Sequence, residues 1–271
     1  MSKSITIIAE IGWNHCGDLE LAKKMILEAK NNGANFAKFQ TWSVSRLKKG
    51  SWDNDGRKEI YKKAELSKED HVYLKDYCEE IGIKFLSSVF SIKDAELLSQ
   101  IGCKTVKIPS FESRNTSLIK YCNENFENIF MSTGTSTFLE IEKSLKLIDN
   151  SNLTILHCVS SYPCLPEIAN IKKMIAIKEK YPEVNVGYSD HIVGVESAKV
   201  AVCLGATTIE KHFTIDNNLP GRDNKFAILP KQLKDLRDFI DLKEKMFIDH
   251  GLDYLECESD SRKNYQGRFD G

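Results

Sequence analysis

The sequence predicts an α/β protein built as one (β/α)8 barrel. Three observations predict it. Short β-branched or apolar runs alternate eight times with amphipathic helical stretches along 271 residues, the alternation such a barrel requires. Gly33, Gly82, Gly102 and Gly205 stand where helices should stop. Polar residues follow every one of the eight runs, as expected where a barrel carries a site at the carboxyl ends of its strands. The barrel is expected over residues 1–250, with 251–271 as a tail that forms no separate domain. A doubly wound open sheet is the competitor. It would need a glycine-rich phosphate loop after the first strand, which Gly12 and Gly17 do not supply.

The elements follow in order. Ser4–Ala9 reads as a buried strand and Glu10–His15 as the loop after it. Leu19, Ala22, Met25, Ile26 and Ala29 recur at three and four, which predicts a helix from Leu19 to Asn32. Ala34–Phe39 is the second strand. The polar stretch Thr41–Glu65, with Trp42 and Trp52, is too long for an ordinary connection and reads as a lid or binding loop. Ser67-Lys-Glu-Asp70 is a capping box that opens a helix to Ile81. Further strands are expected at Lys84–Leu86, Thr105–Ile108, Asn128–Met131, Leu153–Leu156, Asn185–Val186 and Thr207–Ile209. Helices are expected near 92–101, 115–124, 136–149, 167–180 and 195–204, and from Pro230 to about His250.

Composition excludes several classes. The 38 basic and 39 acidic residues leave a formal charge of −1, so no global field draws nucleic acid or an anionic membrane. No apolar run approaches the roughly 18 residues that span a bilayer. Met1-Ser-Lys-Ser leads straight into a strand-like run, so no export segment is expected and the protein reads as cytoplasmic. The eight cysteines form no CxxC pair and read as reduced thiols.

The strand ends hold the chemistry. Gly187-Tyr-Ser-Asp-His191 and Glu210-Lys-His212 each follow a short apolar run, with one helix between them. A parallel βαβ unit sets such strand ends side by side, so His191 and His212 converge and could hold a divalent metal as a Lewis acid on a carbonyl oxygen. Lys38 and Lys107, ringed by Ser88, Ser110, Ser132 and Ser189, suit a phosphate. The same lysines could instead be ion-pair partners of Glu10 or Glu112. Those two carboxylates are able to manage protons. His157 reads as core or as support behind the site, His15 as a substrate contact or a loop residue, and His71 and His250 as solvated helix residues. Trp13 and Trp42 either pack or cover a sugar face. A phosphate pocket, carboxylates and a metal together suggest addition of a phosphorylated nucleophile to an aldehyde.

These stretches resemble the NeuB family of sialic acid synthases, which make N-acetylneuraminic, legionaminic and pseudaminic acids. The resemblance rests on Ala9-Glu-Ile-Gly-Trp-Asn-His15, Ala37-Lys-Phe-Gln40, Val106-Lys-Ile-Pro-Ser110, Met131-Ser-Thr-Gly134, His157-Cys158 with Ser161-Tyr-Pro163, Gly187–His191, and Ile209–Phe213 with Leu219-Pro-Gly221, in unbroken order over about residues 5 to 245. It implies a (β/α)8 barrel that condenses phosphoenolpyruvate with N-acetylmannosamine or a related N-acylated hexose and releases phosphate. It implies a divalent ion, Mn2+ first with Mg2+ and Co2+ as alternatives, on His191 and His212, and a homodimer. By matching motifs, Lys38, Ser88, Lys107, Ser110, Ser132, Ser160 and Ser189 would hold phosphoenolpyruvate. Glu10, Gln40 and Glu112 would stand at the reacting centre, and Tyr162 and Asp223 would contact the acceptor.

The chain departs from the family in places. Ser87-Ser-Val-Phe90 replaces Ser-Thr-Pro-Phe, Ser160 stands where some relatives have Asn, and Pro220-Gly-Arg-Asp223 replaces Pro-Gly-Pro-Asp. Typical members also carry a C-terminal antifreeze-like domain with an acceptor-binding arginine. Arg222, Arg262 or Arg268 is the expected substitute. The alternatives are a phosphoenolpyruvate-condensing barrel of the 3-deoxy-sugar-acid type and a non-catalytic ligand-binding barrel.

Overall fold

In the computed structural model, which describes residues 5–149 and 152–269, eight parallel strands close into a barrel in sequence order. They are β1 (Thr6–Glu10), β2 (Phe36–Thr41), β3 (Lys84–Val89), β4 (Thr105–Ile108), β5 (Asn128–Ser132), β6 (Leu153–Cys158), β7 (Asn185–Asp190) and β8 (Thr208–His212). Strand β1 pairs with both β2 and β8, which closes the ring. Parallel strands need helical crossovers. These are α1 (Leu19–Asn31), α3 (Lys68–Ile81), α4 (Ile92–Gln100), α5 (Thr116–Asn125), α6 (Phe138–Leu145), α7 (Lys172–Lys180) and α8 (Glu196–Cys203). Helix α9 (Pro230–Met246) follows β8. The described chain divides into two compact units, one running to Ile240 and the other beginning at Asp241.

Local sequence sets these helices. The Asp18 side chain accepts from Leu21 N at 3.0 Å and starts α1. Ser67 and Asp70 cap each other reciprocally, and Gly82 closes α3 in the left-handed region at φ +78°, as the sequence predicts. The side chains of Ser91, Asn115 and Thr137 accept from backbone N–H groups in the first turns of α4, α5 and α6. Such caps contribute about 1 kcal/mol each. The buried faces, such as Ala22, Met25, Ile26 and Ala29 on α1, pack on the outward strand residues in one core. Each fully buried Ile, Leu or Met there contributes roughly 1.5–3 kcal/mol.

The structure departs from the expectations at four points. Thr41–Glu65 is not plain loop: it holds short 3-10 turns at Val44–Arg46 and Ser51–Asp53, then α2 (Arg57–Ala64). The expected helix 167–180 is split into a 3-10 turn at Pro166–Ile168 and α7, with Asn170 at φ +46° interrupting it. The C-terminal stretch, without period, forms a 3-10 turn and the short α10 (Ser259–Asn264). His71 is not solvated. It shares the buried face of α3 with Leu74 and Cys78, and its ring bonds Thr41 Oγ1 at 2.8 Å and the Ser67 carbonyl at 2.7 Å. Spacings of three and seven residues put all three on one side of a helix.

No helix among the described residues is long and apolar enough to cross a membrane.

Candidate active site

Strand alternation sorts the residues into layers. Side chains two apart on a strand share a face. Ile8, Phe36, Leu86, Phe130 and Leu156 form a separate apolar cluster inside the barrel. Two residues further along those strands stand Glu10, Lys38, Ser88, Ser132 and Cys158. With Lys107, Ser189 and Glu210 they line the base of a cavity of about 700 Å³ at the carboxyl ends of the strands. Gln40, His191 and His212 also line it. Residues of the other parity face the helices. Ser87 bonds Thr41 at 2.7 Å, His157 stacks on Tyr188 at 5.6 Å, and Lys211 pairs with Asp190 at 3.1 Å.

The base is a cage of opposite charges. Lys38 Nζ lies 2.7 Å from Glu10 Oε2, 2.9 Å from Ser88 Oγ and 3.6 Å from Glu210 Oε2. Lys107 Nζ donates to both oxygens of Glu210, at 2.8 and 3.0 Å. Ser189 Oγ donates to Glu210 at 2.9 Å, and Gln40 Nε2 donates to Glu10 at 2.6 Å. All four charged groups are buried. Burial pushes both carboxyls up, but Lys107 and Lys38 together hold Glu210 far below the usual carboxylate range. Glu10 has one lysine at contact and Glu210 as a like charge nearby, and its pKa is raised. One fold thus gives two carboxyls opposite tendencies.

The two histidines do converge. Their ring centroids are 5.4 Å apart. His191 Nδ1 bonds the Val159 carbonyl at 2.8 Å. A carbonyl oxygen only accepts, so Nδ1 carries a proton, and Nε2 is the nitrogen left to face a metal. His212 is kept neutral by burial and by His191 beside it. Its Nδ1 is buried without a hydrogen-bond partner, 3.6 Å from Asp223 Oδ2. A fixed tautomer and an unsatisfied ring nitrogen fit a metal-binding pair. Among the described residues, no group of three or more His, Cys, Asp or Glu is arranged to hold a metal ion, so the pair would leave most ligand positions to bound substrate or solvent.

The remaining candidates divide by position. Ser110 Oγ accepts from Gly134 N at 3.1 Å, and Ser132 Oγ is buried without a partner. A β-carbon on Gly134 would lie 2.3 Å from Ser160 Oγ and 2.7 Å from Ser110 Oγ, so only glycine lets these hydroxyls approach. Ser160 itself is not part of the cavity wall. Glu112 lines the mouth and accepts from Asn115 Nδ2 at 2.8 Å; it lies outside the charge cage. The Tyr162 ring leans on His191 at 4.1 Å, and Trp13 Nε1 donates to Asp223. Arg222 lines the mouth and donates to the Tyr162 carbonyl at 3.3 Å. Arg262 and Arg268 belong to the C-terminal unit and lie over Tyr254 and Tyr265. His15 is fully buried, its Nδ1 accepting from Gly17 N at 3.1 Å.

Sequence reasoning sets Glu210 at a strand end without giving it a role, and assigns none to Cys158 in the site or to a Trp13–Asp223 bond. Glu210 had a signal: it shares the parity of His212 two residues on, so one cannot face the cavity without the other.

A parallel barrel with buried lysines, serines and paired imidazoles at its strand ends belongs to the class of barrel enzymes that hold a small anionic substrate at that face. Within that class the chain belongs to the NeuB family, whose model matches residues 25–250. It is 37% identical over 86% of its length to the N,N'-diacetyllegionaminic acid synthase of Campylobacter jejuni, covering 74% of that protein. It is 34% identical over 94% of its length to a pseudaminic acid synthase of the same species, covering 78% of it. The solved N-acetylneuraminic acid synthetase of Leptospira borgpetersenii, in complex with citrate, superposes with a TM-score of 0.88 at 33% identity, covering 98% of this chain and 93% of that one. A truncated 3-deoxy-D-arabino-heptulosonate 7-phosphate synthase of Thermotoga maritima shares the fold at 15% identity, with a TM-score of 0.68 over 90% of this chain and 87% of that one.

Proposed function

We propose that this chain is a sialic-acid-type synthase: a transferase that joins phosphoenolpyruvate to the open-chain aldehyde of an N-acylated hexose, giving a 2-keto sugar acid and phosphate. The observation that carries this reading is the lysine–serine base of the cavity. Lys38 and Lys107 present two ammonium groups, and Ser88, Ser110, Ser132 and Ser189 present hydroxyls around them. Phosphoenolpyruvate brings a phosphate and a carboxylate to such a base, with charge-assisted hydrogen bonds for both.

The C2–C3 π pair of the enol forms the new bond from C3 to the aldehyde carbon while the aldehyde C=O π bond opens. This leaves an alkoxide, which takes up the proton that the carboxylate receives from the attacking water, and a cationic C2. Glu210, kept ionised by two lysines, lies close enough to stabilise that charge. Water adds at C2 and gives up its proton to a carboxylate. Glu10 is the favoured base, because its environment raises its proton affinity and Gln40 fixes its orientation; Glu112 at the mouth is the alternative. Collapse of the tetrahedral centre breaks the C2–O bond and expels phosphate onto Lys38 and Lys107. Tyr162 and Asp223 orient the acceptor, and Arg222 supplies a cation beside them. Ser160 supports the phosphate side from behind Gly134.

His191 and His212 would hold a divalent ion, Mn2+ first, which supplies Lewis acidity to the aldehyde oxygen. A homodimer is proposed too. In support, the C-terminal unit exposes Phe247, Leu252 and Phe269, apolar side chains of the kind that mark association surfaces. A cytoplasmic location accords with eight free cysteines.

Phosphate release from phosphoenolpyruvate with Mn2+, measured with N-acylated hexoses and beside a His191→Ala, His212→Ala double variant, tests the reading. Acceptor-dependent release that vanishes in the variant is expected. Release only with phosphorylated aldoses would favour the 3-deoxy-sugar-acid reaction. Metal binding with no release from folded protein would favour a ligand-binding barrel.

A further inference from the structure

The barrel wall that carries the two histidines has a second face. Neighbouring residues on a strand point to opposite sides. Asp190 and Lys211, each one position before a histidine, therefore point away from the cavity and do not line it. Their Cα atoms are partners across β7 and β8. Both side chains are buried, and they pair at 3.1 Å. A buried ion pair persists only when its remaining hydrogen-bonding groups are satisfied, and here the chain around His191 satisfies most of them. Asp190 Oδ1 accepts from Ile192 N at 2.9 Å, and Asp190 Oδ2 accepts from Ser197 Oγ of α8 at 2.6 Å. Lys211 donates to Asp190 and also to the Ile192 carbonyl. The ammonium of the residue before His212 thus grips the residues on both sides of His191.

Resting on the reading of His191 and His212 as a metal pair, we propose that Asp190 and Lys211 are positioning residues, whose ion pair sets the separation and aim of the two imidazoles from behind. The rings stand 5.4 Å apart. His191 is also held in front, by its Nδ1 bond to the Val159 carbonyl at 2.8 Å and by Cys164 N, which donates to its carbonyl at 2.9 Å. The His212 ring has no such hold, since its Nδ1 lacks a hydrogen-bond partner. Its aim comes from its backbone, tied to Ile228 N at 2.8 Å, and from Lys211, whose outward anchorage turns the next side chain inward. Among the described residues no group of three His, Cys, Asp or Glu is set to hold an ion, so the spacing of the two imidazoles carries the affinity. A pair kept for stability alone could be apolar, because well-packed hydrophobic replacements for buried ion pairs are often neutral or better. This one grips the Ile192 N–H and carbonyl, which an apolar pair cannot do.

The test reads Mn2+ affinity from the electron paramagnetic resonance of the free ion. Asp190→Asn leaves the ammonium unpaired, and Asp190→Asn with Lys211→Met leaves no buried charge. Both are expected to bind Mn2+ about 10-fold or more weakly, as when other groups that orient metal ligands are lost. Both should regain turnover at raised Mn2+ and keep the parental KM for phosphoenolpyruvate, which meets Lys38 and Lys107. Leu118→Ala, on the buried face of α5, lowers the Tm away from the pair and is expected to keep Mn2+ affinity. Parental affinity in the folded double variant overturns the proposal, as does an equal loss in Leu118→Ala. Where the pair variants do not fold, Ser197→Ala decides: it removes one hydrogen bond from Asp190 and leaves the ion pair, and unchanged Mn2+ affinity overturns the proposal. If the parent binds no Mn2+, the metal reading fails, and the positioning role is read from the His191 Nδ1 proton by NMR on protein with labelled histidine. Faster solvent exchange of that proton in the double variant, or in Ser197→Ala, is expected; unchanged exchange overturns the proposal.

Discussion

The Lys107 ammonium and the Glu210 carboxylate meet at 2.8 and 3.0 Å inside the barrel, although β4 and β8 stand on opposite sides of it. The pair is buried, so each charge depends on the other. Lys38, 3.6 Å away, shares the same carboxylate. The base sets two ammonium groups, Lys38 and Lys107, against two carboxyl groups, Glu10 and Glu210.

Glu210→Gln removes that balance while keeping the shape. Two ammonium groups then share Glu10 alone, and the variant should unfold with about 3 kcal/mol less stability. An anion in the cavity would replace part of the missing charge. Thermal unfolding with phosphoenolpyruvate should therefore show a larger upward shift in the variant than in the parent. An equal or smaller shift would mean that the lysines do not face the anion.

Gly187 sits in the apolar layer of β7, with β6 and β8 close on each side. A β-carbon there would lie 2.3 Å from the Thr208 carbonyl and 2.8 Å from Leu156 Cδ2. Neither strand can yield without breaking the ladder. Gly187→Ala should cost about 3 kcal/mol or leave no folded protein, read by urea unfolding. A wild-type midpoint would contradict the packing of this layer.

His15 should give the protein an acid limit. Burial lowers its pKa from 6.5 to about 4 in the folded state. As pH falls below 6.5, the unfolded chain takes up a proton that the folded chain refuses. Stability is therefore lost between about pH 6.5 and 4, up to about 3 kcal/mol. Burial also lowers His71 and His157, with the same sign. Urea unfolding at pH 7.5, 6 and 5 should show the decline, and His15→Gln should make it shallower.

Asp94 fastens the mouth. It is buried, accepts from Ser91 Oγ at 2.8 Å and Phe90 N at 3.3 Å, and pairs with Arg46 at the cavity mouth. Asp94→Ala should cost about 1–2 kcal/mol and speed tryptic cleavage after Arg46, Lys48 and Lys49. Asp235→Ala breaks a more exposed pair with Lys199 and should cost less than about 1 kcal/mol. Equal cleavage rates in the two variants would show that Arg46 is not held by Asp94.

The barrel and most of the site were legible in the sequence because both follow short-range periods. Ser67 with Asp70, and Gly82, mark α3 by local chemistry alone. His191 and His212 follow from strand ends one crossover apart. Glu210 reads as a strand-end carboxylate without a role, because its partner, Lys107, lies 103 positions away and no local rule joins them. Helix α2 was hidden for another reason. Its only fully buried residue is Ala64, so it carries no apolar stripe, and its place depends on Tyr61 meeting Trp13. His71 was misread by residue type, although its spacing from Leu74 and Cys78 placed it inside.

The strict alternation along the strands has a consequence for how this protein is assayed. A slip of one position in any strand would exchange Lys38 for Phe39, Glu210 for Lys211, or Ser88 for Ser87 or Val89. Such a chain would retain its helices and much of its secondary structure, and circular dichroism would scarcely distinguish it. Its catalytic centre would be gone. Turnover therefore serves as a proofreading signal for strand pairing, and the specific activity of a refolded preparation counts the correctly threaded barrels.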